Sequence, residues 1–160
     1  MQPKTIKQQQ TLNCPMKHPG NISDFIPMRN RELMEALRKC MENTDFFDIN
    51  KDFEQVVNSP CSRYWISEER AMLVVSAMMK NQPTLQNMRP TKREMFMEIF
   101  CRVYIMKVEH PEMTLNDCVY EVVNSPSRKF FMKPRHAREI IYNIKKSKKH
   151  KLTTNKKTQQ

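Results

Sequence analysis

Glycine occurs once in this chain, at Gly20. Tight turns, barrel corners and phosphate-cradling loops all use glycine's access to positive φ, so its scarcity argues against a β-rich fold and against a nucleotide-binding loop. Helices need few glycines. No apolar run approaches the roughly 18 residues of a membrane span, and no hydrophobic segment of signal-peptide type is present. The five cysteines, Cys14, Cys40, Cys61, Cys101 and Cys118, are odd in number and include no C-x-x-C pair. Together these absences set the expectation of a soluble, cytoplasmic protein with reduced thiols, without a membrane partner.

What is present suits one compact helical body with polar ends. The chain has 160 residues, 39% apolar and 28% charged, enough for one domain or for two small halves sharing one core. Its 14 methionines read as filler for irregular gaps between helices. The net charge of +11 is unevenly placed: residues 1–27 carry +2, residues 28–80 carry −1 and residues 81–160 carry +10. An anionic partner for the C-terminal half, most simply nucleic acid, follows from that asymmetry.

Periodicity predicts six helices. Residues 1–27, rich in Gln, Pro and Lys, read as an extended arm. A first helix is expected from an Asn30 cap with Leu33, Leu37, Cys40 and Met41 on one face. Asp48 or Asn50 can cap a second carrying Phe53, Val56 and Val57, which must stop near Asn58 because Pro60 follows. Ser67 caps a third, with Glu68 and Glu69 at its positive end and Ala71, Val74, Val75 and Met78 inward. Thr91 and Glu94 form a T-x-x-E capping box for a fourth, with Met95, Phe96, Ile99, Phe100, Val103 and Met106. Thr114 and Asp117 open a fifth with Leu115, Cys118, Val119 and Val122, and Pro134 opens a sixth with Ala137, Ile140, Ile141 and Ile144.

Part of the chain is written twice. Val56-Val57-Asn58-Ser59-Pro60 returns as Val122-Val123-Asn124-Ser125-Pro126, at an offset of 66. Arg63 then matches Lys129, Tyr64-Trp65 match Phe130-Phe131, Ile66 matches Met132 and Ala71 matches Ala137. The Arg-Glu pairs at 31–32 and 93–94 align at an offset of 62, so the second copy has four extra residues in its first connector, around His110 and Pro111. The expected architecture is therefore all-α: two duplicated three-helix units, 28–80 and 91–146, packed into one helical domain, followed by a lysine-rich tail over 147–160.

Two readings of the repeated loop stand side by side. In one, the aromatics plug the gap between helices and Arg63 or Lys129 bonds exposed helix-end carbonyls. In the other, the loop is a binding edge that offers its cation to phosphate and its aromatics to bases. The second copy favours the latter, because Ser127, Arg128, Lys133, Pro134, Arg135 and Arg138 replace Cys61, Ser62, Ser67, Glu68, Glu69 and Met72. The predicted nucleic-acid residues are Arg128, Lys129, Lys133, Arg135, Arg138, Lys145, Lys146, Lys148 and Lys149, with Phe130 and Phe131 as candidates for stacking. Helix-turn-helix geometry is not met: Asn124 and Pro134 are separated by nine residues, where that motif uses about three or four.

Catalytic and metal constellations mostly fail on spacing. Cys14 and His18 form C-x-x-x-H without a second ligand pair. His110 and His136 have no neighbouring nucleophile, and Asp45, Asp48, Asp52 and Glu54 lack the order and central glycine of a calcium loop. No cofactor and no catalytic residue is expected.

The Ser-Pro, Arg, aromatic-aromatic, Ile-Ser, Glu, Ala pattern of residues 59–71, echoed at 125–137, resembles a motif in uncharacterised small proteins of Bacteroidota mobile elements and phages. The resemblance spans residues 29–146 and implies an accessory role in an element or virion. The sequence thus leads to a non-enzymatic nucleic-acid-binding protein, DNA ahead of RNA, in the host cytoplasm or the virion. The alternative is a virion or assembly protein packing on neighbouring subunits, including copies of itself.

Overall fold

The computed structural model describes residues 22–157, with the side chains of residues 25–151. Six helices follow in chain order: α1 (Ile22–Glu42), α2 (Ile49–Val57), α3 (Glu68–Met79), α4 (Pro90–Glu109), α5 (Leu115–Val123) and α6 (Pro134–Lys157). The fold is all-α. Among the described residues there is no strand, and the sole β-type pairing is an isolated antiparallel bridge between Cys61 and Ser127.

Helix ends follow local chemistry in most places. The Asp48 carboxylate accepts from the Asn50 and Lys51 amides, Ser67 Oγ from Arg70 N, and Thr114 Oγ1 from Asp117 N. Each satisfies an amide that the helix itself leaves open. With no glycine at hand, α3 ends on Asn81 at φ 55°. Asn81 N donates to Met78 O and Gln82 N to Ala77 O, the paired bonds of a left-handed helix stop.

Three sequence expectations are corrected. α1 begins at Ile22 rather than near Asn30, which places residues 22–27 in a helix instead of the arm; residues 1–21, with Cys14, His18 and Gly20, lie outside the described residues. Pro27 inside α1 costs about 3 kcal/mol. Burial of Phe25 against the Trp65 ring, at 6.1 Å between centroids, offsets a comparable amount. The Thr91–Glu94 capping box does not form: α4 starts on Pro90, two residues earlier than a Thr91 cap would set it, Arg89 makes no side-chain cap, and Glu94 turns to cations of the 124–133 loop. Residues 147–157, expected as a tail, continue α6. No proline or glycine follows Pro134 to stop the helix, and lysine propagates it well.

Packing crosses the sequence repeat. α1 and α2 pack with each other and with α6, whereas α4 and α5 pack with each other and with α3. Each repeat therefore supplies two helices to one bundle and its third helix to the other. Two buried clusters result instead of one shared core. Leu33, Leu37, Cys40, Phe53, Val56, Val57, Ala137 and Ile141 fill the first. Ala71, Val74, Val75, Met95, Phe96, Ile99, Val103, Cys118, Val119, Val122 and Val123 fill the second.

The two loops that carry out this exchange, 58–67 and 124–133, meet in the middle. Tyr64 N donates to Val123 O at 3.0 Å, and Phe130 N donates to Val57 O at 2.9 Å. Tyr64 stacks on Phe131 (5.9 Å) and Trp65 on Phe130 (6.4 Å). Tyr64 and Phe131 belong to the second cluster, while Phe130 and the partly buried Trp65 belong to the first. Each loop thus places one aromatic in each bundle.

Candidate nucleic-acid interface

The repeated loop is structural on its inner side. Phe130 and Phe131 are 2% and 8% exposed, with ring faces occupied by Trp65 and Tyr64. Neither ring is presented to a base, which corrects the stacking expectation. Phe131 is held at φ 51°, a backbone that bulky residues avoid and that persists here under packing. Arg128 and Lys129 lie over its ring, at 5.4 and 5.2 Å from the centroid.

Those two cations are also committed within the fold. Arg128 donates to Glu98 Oε2 (2.5 Å) and Glu94 Oε1 (2.6 Å), and Lys129 Nζ donates to Glu94 (2.7 Å). The Lys129 hydrogen bond, reinforced by Arg128, holds the Glu94 carboxyl below the usual carboxylate range. Glu98 also accepts from the Tyr64 hydroxyl at 2.5 Å, and Arg102 donates to that hydroxyl at 2.9 Å. Burial first, then the Glu98 bond, pushes Tyr64 up to about 12. In the first loop the equivalent places are filled by Glu32, which accepts from the amide and hydroxyl of Ser62, and by Arg63, whose guanidinium bonds the carbonyls of Tyr64 and Ile66 and lies over Phe25. The cation was expected to bond carbonyls at the end of the preceding helix; Arg63 instead bonds those of its own loop, and Lys129 bonds Glu94.

The remaining cations gather elsewhere. The N-terminal ends of α4 and α6, each helix with proline at its first position, border one cleft. Arg89, Thr91, Lys92, Phe131, Met132, Lys133, Arg135, His136 and Glu139 line a cleft of about 570 Å3 between them. Glu139 is its one acid and accepts from Arg135 at 3.1 Å. A second depression, which contains Arg70, shares Arg89 and Lys92 with the first; a third, formed with Asn50 and Phe53 of α2, shares Arg135 and adds Arg138. The basic path therefore runs from Arg70 across the cleft to Arg138.

From there it continues along α6. Arg135, Arg138, Tyr142, Lys145, Lys146 and Lys149 are all exposed, and helical spacing gathers them on one flank of α6, beside the buried Ala137 and Ile141. Tyr142, 65% exposed, interrupts the cations with an aromatic ring. Lys148 leaves this row and lines a groove against Arg29 and Asn30 of α1.

Of the residues expected from sequence, Lys133 and Arg135 meet in the cleft, and Arg138, Lys145, Lys146 and Lys149 extend it. Arg128, Lys129, Phe130 and Phe131 serve the fold. Sequence reasoning missed Arg70, Arg89, Lys92 and Tyr142. Only the spacing of Tyr142, seven residues after Arg135 and three before Lys145, was a usable signal. Among the described residues no group of three or more His, Cys, Asp or Glu can hold a metal ion, and no helix is long and apolar enough to cross a membrane. Neither a family model nor a curated protein nor a solved structure matches the chain.

Proposed function

We propose that the chain is a non-enzymatic accessory protein that binds nucleic acid through phosphates, DNA ahead of RNA, with little sequence preference. The observation that carries this reading is the convergence of Arg89, Lys92, Lys133, Arg135 and His136 on one cleft, continued by the outer face of α6. Between Lys133 and Lys151 the sequence holds eight Lys or Arg and one acid. Such a surface gains affinity by releasing counterions from a phosphate backbone, which needs charge but no base contact. A helix of 24 residues is about 36 Å long, about one turn of duplex. Tyr142 adds an aromatic face of the kind on which a single-stranded base stacks. The phage or mobile-element setting, and a cytoplasmic or virion location, rest on the sequence resemblance.

Fluorescence anisotropy with labelled duplex DNA, single-stranded DNA and RNA, over a salt series, tests the proposal. Binding should weaken steeply with salt. The paired change Lys133→Ala and Arg135→Ala should lower affinity and flatten the log–log slope by about one for each phosphate that is no longer neutralised. Unchanged affinity and slope in that variant, or no binding to any probe at low salt, would sink the reading. The alternative, an assembly protein, is favoured by a different observation: the apolar outer face of α4.

A further inference from the structure

Arg29 is a half-buried cation that no acid of the described residues balances. It stands on α1 where that helix meets α6, and burial lowers its guanidinium below the ordinary value. Its hydrogen bonds among the described residues run to its neighbour Asn30, whose Oδ1 accepts from Nε at 3.3 Å and from Nη2 at 3.0 Å. Arg63 shows how the fold treats a comparable group. Burial lowers it too, but it has Glu68 at 4.0 Å, the carbonyls of Tyr64 and Ile66, and the Phe25 ring. A charge drawn out of water without such compensation is costly, and an anion brought by a ligand supplies what the fold omits.

The surroundings of Arg29 suit that anion. A groove of about 410 Å3 is lined by Arg29 and Asn30 of α1 and by Asn143, Ser147 and Lys148 of α6, with Ile140 and Ile144 as its apolar part. Lys151 also borders it, and no acid does. Two acids of an adjoining groove are already taken: Ser62 donates its amide and hydroxyl to Glu32, and Arg38 donates to Glu35. A guanidinium fork, an ammonium, and amide and hydroxyl donors are the groups that hold phosphate oxygens. Two cations facing no acid match a dianion, the charge a phosphate monoester approaches at neutral pH.

The repeat supplies an internal comparison. At the offsets of 62 and 66, the other bundle has Thr91 in place of Arg29, Ala77 and Met78 in place of Asn143 and Ile144, and Gln82 in place of Lys148. Met78 packs against the second cluster, and α3 stops at Met79, whereas α6 runs on past the corresponding point. The charged groove therefore belongs to the second copy's long helix and is not a by-product of the shared fold. Asn143 and Ser147 stand on the flank of α6 away from Arg138, Tyr142, Lys145 and Lys149, so the groove is separate from the basic path.

We propose that the groove between α1 and α6 is a phosphate-monoester site, in which Arg29 and Lys148 hold the phosphate oxygens and Asn143 and Ser147 donate to them. Inorganic phosphate and the phosphorylated end of a nucleic-acid strand both present this chemistry. The site stands independently of the nucleic-acid reading of the cleft.

The test uses the full chain, freed of nucleic acid by nuclease treatment and high salt, with its arginines labelled with nitrogen-15. The Arg29 Nε–Hε signal, identified by its absence from Arg29→Lys, is followed as inorganic phosphate replaces chloride at pH 7 and constant ionic strength. It should shift saturably. Lys148→Gln, at an exposed position, should weaken that response by about tenfold or more with far-UV circular dichroism unchanged, and Lys133→Ala with Arg135→Ala should leave it as it is. The absence of a saturable shift overturns the site, as does a shift that survives Lys148→Gln at full strength or vanishes with the cleft variant. A single strand with a 5′-phosphate and its 5′-hydroxyl counterpart then identify the source. A shift at lower concentration for the phosphorylated strand than for inorganic phosphate assigns the site to strand ends, and a response to inorganic phosphate alone assigns it to the free ion. Equal shifts from the two strands overturn the monoester assignment in favour of backbone phosphodiesters. A chain that binds neither strand yet keeps the phosphate shift supports this site while the nucleic-acid reading falls.

Discussion

Cys61 and Ser127 exchange two backbone hydrogen bonds, each N–H donating to the other's carbonyl at 2.9 Å. The residues are 66 apart, the offset of the sequence repeat, so each is bonded to its own counterpart. The Tyr64–Val123 and Phe130–Val57 bonds and the two aromatic stacks repeat the same reciprocity around them. Because each loop passes its helix to the opposite bundle, neither bundle is complete without both repeats.

Replacement of Phe130 by Ala should therefore destabilise the whole molecule. Removing a buried ring costs about 3–5 kcal/mol, and Phe130 belongs to the loop of one repeat and the core of the other. Urea unfolding followed by Trp65 fluorescence and by circular dichroism should give one coincident transition, with its midpoint lowered. Two separated transitions in the parent chain would show that the bundles unfold independently.

Acid should weaken the junction in a defined window. The folded carboxyl of Glu94 titrates below its ordinary value of 4.5, first through Lys129 and then through Arg128. A depressed carboxylate contributes stability that is present above that value and lost as pH falls through the folded one. The contribution is below about 1 kcal/mol, since the pair is partly exposed. Glu94→Gln should lower Tm slightly at pH 7 and reduce its fall between pH 5 and 3.

Thiol chemistry should separate the cysteines. Burial pushes Cys61 up to about 11 and also raises Cys40, so both remain protonated at pH 8. Cys101 is exposed. Mass mapping after a short iodoacetamide pulse should find Cys101 alkylated well before Cys40, Cys61 or Cys118.

The basic residues should divide into two groups. Arg128→Ala should lower stability by about 1 kcal/mol or less and leave the salt slope of nucleic-acid binding unchanged, because its charge faces Glu94 and Glu98. Truncation after Ile144 should remove helical signal as well as affinity, since residues 145–157 continue α6.

Much of the fold was legible because its signals are local. The caps at Asp48, Ser67 and Thr114, the stop before Pro60 and the start at Pro134 each depend on a few neighbouring residues. The early start of α1 was not, because Phe25 is held by Trp65, forty residues away. The α4 capping box looked complete in sequence, yet Glu94 was drawn off by the loop cations at 128 and 129.

By itself, the sequence determined the helices, the repeated loop and the concentration of positive charge in the C-terminal half, since periodicity, capping and net charge are properties of short stretches. Tertiary structure decided which helices share a core, and which cations are engaged inside the fold. The exchange of α3 and α6 arises where two distant loops pair. That pairing buries Phe130 and Phe131, commits Arg128 and Lys129 to α4, and brings Arg89 and Lys92 beside Lys133 and Arg135, more than forty residues along the chain. Contacts of that separation depend on loop closure and packing, and no local pattern encodes them.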